Sequence, residues 1–172
     1  MAERPRRDMV ETSAALSSPP SLAEIRQALE EVRDPELPIA VTDLGLIRDI
    51  TVDGSNVRVD LVPTFSACPA IDVIRRDIRT RLLALPGVEE VAVTLVFDDP
   101  WTIGRMSPRG RAALSAFGLS LPRAAGGEPV ACPYCGSTNT TLENPFGPTL
   151  CRAIYYCRDC RNPIERFRPP GE

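Results

Sequence analysis

The sequence predicts an α+β protein: a small two-layer α/β domain, ordered helix, strand, strand, helix, strand, followed by a C-terminal ribbon module. Two observations support this prediction. Apolar residues recur at helical spacing and then in strict alternation through residues 21–97. Five of the six cysteines lie after residue 131, and four of them form two C-x-x-C pairs.

The first helix is predicted to begin at Ser21, where a Ser-x-x-Glu capping box precedes apolar residues at helical spacing. Asp34-Pro35 ends it, because the residue before a proline avoids the helical region. Residues 36–45 contain a proline and end in a glycine, so they are predicted to form an irregular loop. We call residues 34–45 together the acidic loop.

Two strands, a helix and a third strand follow. Residues 46–52 and 57–62 alternate apolar and polar side chains around an Asp-Gly turn, which predicts a β-hairpin with one buried face. The second helix follows Cys68 and ends at a Pro-Gly pair. Residues 88–97 form the third strand, with Phe97 on its buried face.

The domain limits follow from composition. A third helix is predicted after the Ser-Pro pair at residues 107–108, where proline suits the first helical position. We place the two-layer domain at residues 21–121, a Gly/Ala/Pro linker at 122–130 and the ribbon at 131–170. Residues 1–20 mix charge, serine and proline without periodicity, which is typical of a disordered tail.

The composition excludes several classes of function. The chain has no histidine, which removes Ser-His and Cys-His nucleophile pairs and all imidazole metal ligands. A net charge of −3 without any lysine is unlike the basic surface that nucleic-acid binding needs. No apolar run approaches the roughly 20 residues of a membrane span, and the N-terminal stretch lacks the apolar region of a secretory signal. We therefore expect a cytoplasmic protein.

Four cysteines predict a single metal ion. They form two C-x-x-C pairs separated by 21 residues: Cys132, Cys135, Cys157 and Cys160. Two such pairs supply the thiolates of a closed tetrahedral site, so a structural zinc is expected, although four thiolates also suit iron. Redox dithiols or unliganded cysteines are the alternative, but so short a segment has too little core to fold without a metal.

Three residues near these pairs add detail. Gly136 directly follows the first pair and suits the left-handed turn of such a knuckle. The second pair has Arg161 at the equivalent position, which makes its geometry less regular. Cys151 is a fifth thiol, for which a small buried side chain is favoured over an alternative metal ligand.

Cys68 is the candidate functional thiol of the two-layer domain. It precedes Pro69 and a helix, where unpaired backbone N–H groups and the helix dipole favour a thiolate. Thr64 and Ser66 lie just upstream and could donate hydrogen bonds to its sulfur. A packed, unreactive thiol is an equal alternative.

The acidic loop contains Asp34, Glu36 and Asp43. A solvated acidic surface explains them, and the Asp-Pro-Glu turn could equally cap a neighbouring helix.

Three motifs occur in one order along residues 21–100. They are Asp34-Pro-Glu-Leu-Pro, Val41-Thr-Asp-Leu-Gly-Leu-Ile, and Thr64 with Cys68-Pro69 opening a helix. Together they resemble the SufT-like family of iron–sulfur cluster assembly factors. With Trp101-Thr102 and the final segment Cys151-Arg-Ala-Ile-Tyr-Tyr-Cys157, the chain is similar to the PaaD-type family, accessory proteins of the multicomponent phenylacetyl-CoA 1,2-epoxidase in phenylacetate degradation.

The resemblance implies a non-catalytic maturation factor for the epoxidase's iron or iron–sulfur centres. Cys68 would contact iron or a cluster in transit, supported by Thr64, Asp34 and Asp43. The implied cofactors are a structural zinc and transient iron or an iron–sulfur cluster, and the implied partners are epoxidase or reductase subunits. The chain lacks Glu-x-x-His di-iron ligands and a dinucleotide glycine fingerprint, so no enzyme activity is expected.

Two other functions remain open at this point. In the first, the ribbon docks on a protein of the epoxidase system and the α/β domain is only a scaffold. In the second, the ribbon binds nucleic acid, which the charge disfavours.

Overall fold

The computed structural model of the protein describes residues 18–122 and 129–168. Its first domain contains α1 (Leu22–Leu29), β1 (Ile47–Asp53), β2 (Asn56–Leu61), α2 (Ala70–Leu83) and β3 (Glu90–Leu95). This confirms the predicted order helix, strand, strand, helix, strand. Most of the predicted tail and most of the predicted linker lie outside the described residues.

α1 begins where the capping box predicts it. The Ser21 hydroxyl accepts a hydrogen bond from the Glu24 backbone N–H at 3.3 Å, and the Glu24 carboxylate accepts one from the Ser21 backbone N–H at 2.8 Å. The helix ends at Leu29, earlier than predicted. The following residues turn back, and the Asp34 N–H donates to the Ile39 carbonyl at 3.0 Å.

The first sheet has the strand order β1-β2-β3. β1 and β2 pair antiparallel as the predicted hairpin, and β2 pairs in parallel with β3 after α2 crosses between them. The buried side chains of the strands pack with α1 and α2 in one core, which includes Ile25, Leu29, Val59, Leu61, Ile74, Ile78 and Leu82.

The prediction for the end of the third strand is wrong. β3 stops at Leu95, and Phe97 is 56% exposed. The chain turns away from the sheet and buries Trp101 instead, and the Trp101 indole N–H donates to the Leu44 carbonyl at 2.8 Å. Because a buried indole needs an acceptor for its N–H, this bond joins the connection after β3 to the acidic loop.

α3 (Pro108–Ala116) confirms the predicted third helix and follows a short 3₁₀ turn at Ile103–Arg105. The Ser107 hydroxyl caps α3 by accepting from the Gly110 N–H at 2.9 Å. α3 lies directly on the acidic loop, since a Cβ added to Gly110 would come within 2.7 Å of the Asp43 carbonyl oxygen. Only glycine allows so close an approach.

The second sheet has the order β4-β7-β6-β5 and contains β4 (Leu119–Ser120), β5 (Thr140–Asn144), β6 (Arg152–Cys157) and β7 (Pro163–Phe167). β4 precedes the predicted linker, yet it pairs in parallel with β7 of the ribbon. Phe167 is fully buried against Trp101, with ring centroids 5.2 Å apart. The ribbon and the first domain therefore share part of one core.

The helices of the described chain are short, the longest being the 14 residues of α2. Among residues 18–122 and 129–168, none combines the length and the apolar character needed to cross a membrane.

Candidate functional site

The four ribbon cysteines come together as a candidate metal centre. The Sγ atoms of Cys132, Cys135, Cys157 and Cys160 all lie within 4.8 Å of one another. The Cys132–Cys160 and Cys135–Cys157 sulfur pairs are each 3.6 Å apart. Metal–sulfur bonds of about 2.3 Å in a tetrahedron would place the sulfurs roughly 3.8 Å apart, so the donor set fits one such cation.

Two similar turns present these sulfurs. Gly136 has φ 74°, which confirms the left-handed turn predicted after the first pair, and its N–H donates to the Cys132 carbonyl at 2.9 Å. Arg161 adopts the same region with φ 60°. The second knuckle therefore repeats the first turn with a residue for which that conformation is strained.

Asp159 joins the two knuckles. Its carboxylate accepts hydrogen bonds from the Ser137 hydroxyl at 2.5 Å and from the Asn139 side-chain amide at 2.7 Å. These two bonds hold the pKa of Asp159 below its usual value. Sequence reasoning missed this contact, because nothing in the spacing pairs Asp159 with residues of the first knuckle.

The four sulfurs compete for protons. The Asn162 side-chain amide donates to the Cys160 sulfur at 3.4 Å and lowers the pKa of Cys160 to about 6. The Ser137 backbone N–H lowers the pKa of Cys135, but burial and the neighbouring sulfurs outweigh it and raise that pKa to about 12. Four adjacent thiolates repel one another, so all four can be ionised together only around a cation.

Cys68 lies half-buried in the loop between β2 and α2. Its N–H donates to the Phe65 carbonyl at 3.1 Å, and α2 begins at Ala70 with Pro69 as its N-cap. Burial raises the pKa of the Cys68 thiol, and the hydrogen bond from the Ala70 N–H only partly opposes this rise. The predicted preference for a thiolate is therefore wrong, because desolvation outweighs the single amide at the helix start.

The acidic loop brings negative charge close to Cys68. The charges of Asp34 and Glu36 both raise the pKa of the Cys68 thiol. Asp34 Oδ1 accepts from the N–H groups of Glu36 at 2.8 Å and Leu37 at 2.9 Å, so Asp34 caps its own turn. Burial raises the pKa of Asp34 despite these two bonds.

Cys151 approaches the same region from the ribbon. It is 6% exposed, which confirms the predicted small buried side chain, and it packs in the core of the first domain. The Thr149 hydroxyl lies 3.2 Å from its sulfur. A negative charge on Cys151 raises the pKa of Cys68, so the two thiols lie within electrostatic reach of each other. No sequence signal indicated this neighbour, because the two cysteines belong to different predicted modules.

Arg152 was also missed by sequence reasoning. Its side chain is 8% exposed and pairs with the Glu165 carboxylate at 2.7 Å. A second nitrogen of its guanidinium donates to the Glu36 carbonyl at 3.2 Å. Arg152 therefore ties the start of β6 to the acidic loop.

Asp43 and Thr64 have different positions. The Asp43 carboxylate accepts from the Ser107 hydroxyl at 2.6 Å and from the Arg109 guanidinium at 2.8 Å. Burial would raise the pKa of Asp43, but these bonds hold it below its usual value. Asp43 thus orders α3, and Thr64 is buried in the loop that contains Cys68. Support of Cys68 by either residue stays a prediction.

Two family models match consecutive parts of the chain. Residues 22–94 match the model of the iron–sulfur cluster assembly protein family, and residues 120–168 match the model of the PaaD zinc β-ribbon domain. The first match covers α1 to β3 with Cys68, and the second covers the four-cysteine centre with Cys151.

Named relatives agree with both matches. A protein of Escherichia coli (strain K12), named as a subunit of a putative 1,2-phenylacetyl-CoA epoxidase, is 37% identical over 160 residues, which are 90% of this chain and 96% of that protein. The "Fe-S protein maturation auxiliary factor YitW" of Bacillus subtilis is 34% identical over 52% of this chain and 89% of its own length. A solved domain of unknown function, DUF59, from Bacillus anthracis superposes with a TM-score of 0.52 at 34% identity, covering 54% of this chain and 89% of that structure.

Proposed function

The chain belongs to the PaaD-type family of iron–sulfur cluster assembly proteins, and on this premise we propose that it is a non-catalytic maturation factor for the multicomponent phenylacetyl-CoA 1,2-epoxidase. The Bacillus subtilis relative is named a maturation auxiliary factor, which supports assembly rather than catalysis. The name of the Escherichia coli relative supports the link to the epoxidase. The cargo in this proposal is iron or an iron–sulfur cluster.

The position of Cys68 is the observation on which this role depends. The thiol lies half-buried in a loop whose neighbours Ser66 and Ala67 are exposed, within the domain that matches the assembly family. Thiolates are the ligands that iron–sulfur clusters use, and the nearby carboxylates of Asp34 and Glu36 attract a cation. A thiol at the rim of the fold can hold cargo and still release it to a partner.

In this proposal the four-cysteine centre holds zinc. Four thiolates close the coordination sphere and leave no position for a substrate, so the metal is structural. The ribbon has a small core of its own, formed by Val130, Cys132, Cys157 and Ile164. A core this small needs the free energy of metal binding to stay folded.

The client is an epoxidase or reductase subunit of the same system, met in the cytoplasm, where thiols stay reduced. A net charge of −3 fits a protein client better than a nucleic acid.

A Cys68→Ser variant tests the proposal. In cells that produce the epoxidase system with this variant, the purified complex should contain less iron per protein than the wild-type complex, as measured by plasma mass spectrometry. Ser66→Ala is the matched control, because it changes an exposed residue of the same loop and should load iron normally. Equal zinc content and circular dichroism would show that Cys68→Ser is folded. A fully iron-loaded, active complex from Cys68→Ser cells would rule out the transfer role.

Exposed apolar side chains favour docking as the second candidate function. Leu142 is 49% exposed on β5, the edge strand of the second sheet, and Phe146 and Leu150 in the following loop are 62% and 40% exposed. Such side chains suit a protein partner. If docking were the whole function, Phe146→Ser would abolish co-purification with the epoxidase, while Cys68→Ser would leave iron loading intact.

A further inference from the structure

The loop that contains Cys68 and the segment that contains Cys151 are joined by one residue. The Arg168 N–H donates to the Cys151 carbonyl at 2.7 Å, and the Arg168 guanidinium lies 6.0 Å from the centre of the Phe65 ring. Phe65 in turn accepts the hydrogen bond of the Cys68 N–H at 3.1 Å. Both cysteines also pack against the same hydrophobic core, Cys151 inside it and Cys68 at its edge.

The acidic loop closes the other side of this group. Arg152, next to Cys151, donates to the Glu36 carbonyl at 3.2 Å. The charge of Arg152 acts on both Cys151 and Asp34, and the charges of Asp34 and Glu36 act on both cysteines. The two thiols and these carboxylates therefore lie within electrostatic reach of one another.

One buried polar atom at this position has no partner. The side chain of Arg152 is 92% buried, as its 8% exposure implies, and its Nε lacks a hydrogen-bond partner within the described parts of the chain. Buried polar groups are nearly always paired, so an unpaired one needs an explanation. An acceptor that arrives with a ligand would pair this N–H.

We propose that Cys151 is a second thiol ligand for the cargo, so that Cys68, Cys151 and the Asp34 carboxylate form one cation site beside Arg152. The inference rests on the proposed function, and it deepens that function by changing a single transfer thiol into a two-thiol site. Each thiol gives its proton to water as its sulfur binds Fe²⁺, with no change of oxidation state. The two thiolates balance the charge of Fe²⁺, and Arg152 offsets the charge of Asp34.

The geometry also assigns different tasks to the two thiols. Cys68 lies at the rim, whereas Cys151 is 6% exposed beneath the surface. Both backbone bonds to Asp34 use Oδ1, which leaves Oδ2 as its candidate ligand atom. Cys151 would retain the ion, and Cys68 would be the sulfur that a client can reach.

The test is anaerobic titration of the full-length, zinc-loaded protein with ferrous iron. Zinc is kept in the ribbon because four thiolates bind Zn²⁺ more tightly than Fe²⁺. Near-ultraviolet thiolate-to-iron absorption follows binding in the wild type, Cys68→Ser, Cys151→Ser and Cys151→Ala. Ala153→Ser is the matched control, since it places the same hydroxyl in a buried position of the same strand and leaves both thiols in place.

Loss of either thiol should weaken Fe²⁺ binding by more than the roughly 10–100-fold that loss of an outer-shell partner costs, whereas Ala153→Ser should bind as the wild type. X-ray absorption at the iron edge of the wild type should count two sulfur ligands per iron, and this result does not depend on how any variant folds.

Two outcomes would overturn the inference in distinguishable ways. If Cys151→Ser and Cys151→Ala bind Fe²⁺ as the wild type does while Cys68→Ser does not, or if the wild type shows one sulfur per iron, the second ligand is refuted and the proposed role of Cys68 stands. If Cys68→Ser also binds as the wild type does, the two-thiol site and the transfer role of Cys68 both fail.

Discussion

Replacing Phe167 with alanine tests whether the ribbon and the first domain unfold as one unit. Phe167 is fully buried, and its ring lies 5.2 Å from that of Trp101 at an angle of 50°. A Phe→Ala change in a core costs about 3–5 kcal/mol, to which the aromatic pair adds roughly 0.5–1.5 kcal/mol of specific contact. At about 2–4 °C per kcal/mol for a chain of this size, the melting temperature should fall by at least roughly 6 °C.

The assay is denaturant unfolding of the zinc-loaded protein, followed by tryptophan fluorescence and far-ultraviolet circular dichroism. Trp101 is the only tryptophan in the sequence, so its emission reports directly on this contact. Phe146→Ala is the matched control, because Phe146 is 62% exposed and its loss should cost less than about 1 kcal/mol. If Phe167→Ala unfolds at the wild-type denaturant concentration, the two modules do not share a core.

Three further predictions concern single positions. Gly45→Ala should lower the free energy of unfolding by more than about 1 kcal/mol, since Gly45 has φ 74° and a Cβ there would collide with the Arg105 carbonyl. Gly54→Ala, where a Cβ meets open space, should lose less in the same melting experiment. The pKa of Asp43 is lowered in the fold, so its stabilisation is present above the ordinary value of 3.8 and is lost as the pH falls through the lower folded pKa. Asp43→Asn should flatten that acid limb in a circular-dichroism titration, and an unchanged limb would contradict this. Cys135→Ser should abolish zinc binding and speed amide hydrogen exchange in the ribbon, and retention of zinc with wild-type exchange would argue against the four-thiolate site.

The predictable features of this protein are those decided by neighbours in sequence. The capping box at Ser21 starts α1 because both of its hydrogen bonds join residues three apart. The two C-x-x-C pairs converge because each pair is local and a hairpin between them is enough to bring them together. Gly136 was predictable for the same reason, since the turn after the first pair fixes its conformation.

The misses all depend on distant contacts. Alternation alone puts Phe97 on the buried face, yet the place it would occupy depends on where Trp101 finds an acceptor for its indole N–H. β4 is only two residues long and exists because it pairs with β7. The pKa of Cys68 rises because of burial, and the extent of burial depends on how the ribbon packs against that loop.

β6 connects the two kinds of cysteine chemistry. Cys151 directly precedes the strand, and Cys157 is its last residue. The strand pairs with β5 on one side and β7 on the other, so a six-residue segment that is ordered at both ends cannot shift at one end alone. Metal bound at Cys157 would hold the far end, while Arg152 ties the near end to the acidic loop. A structural zinc would therefore also fix the position of the second thiol, and its loss should weaken cargo binding although no cargo ligand is removed.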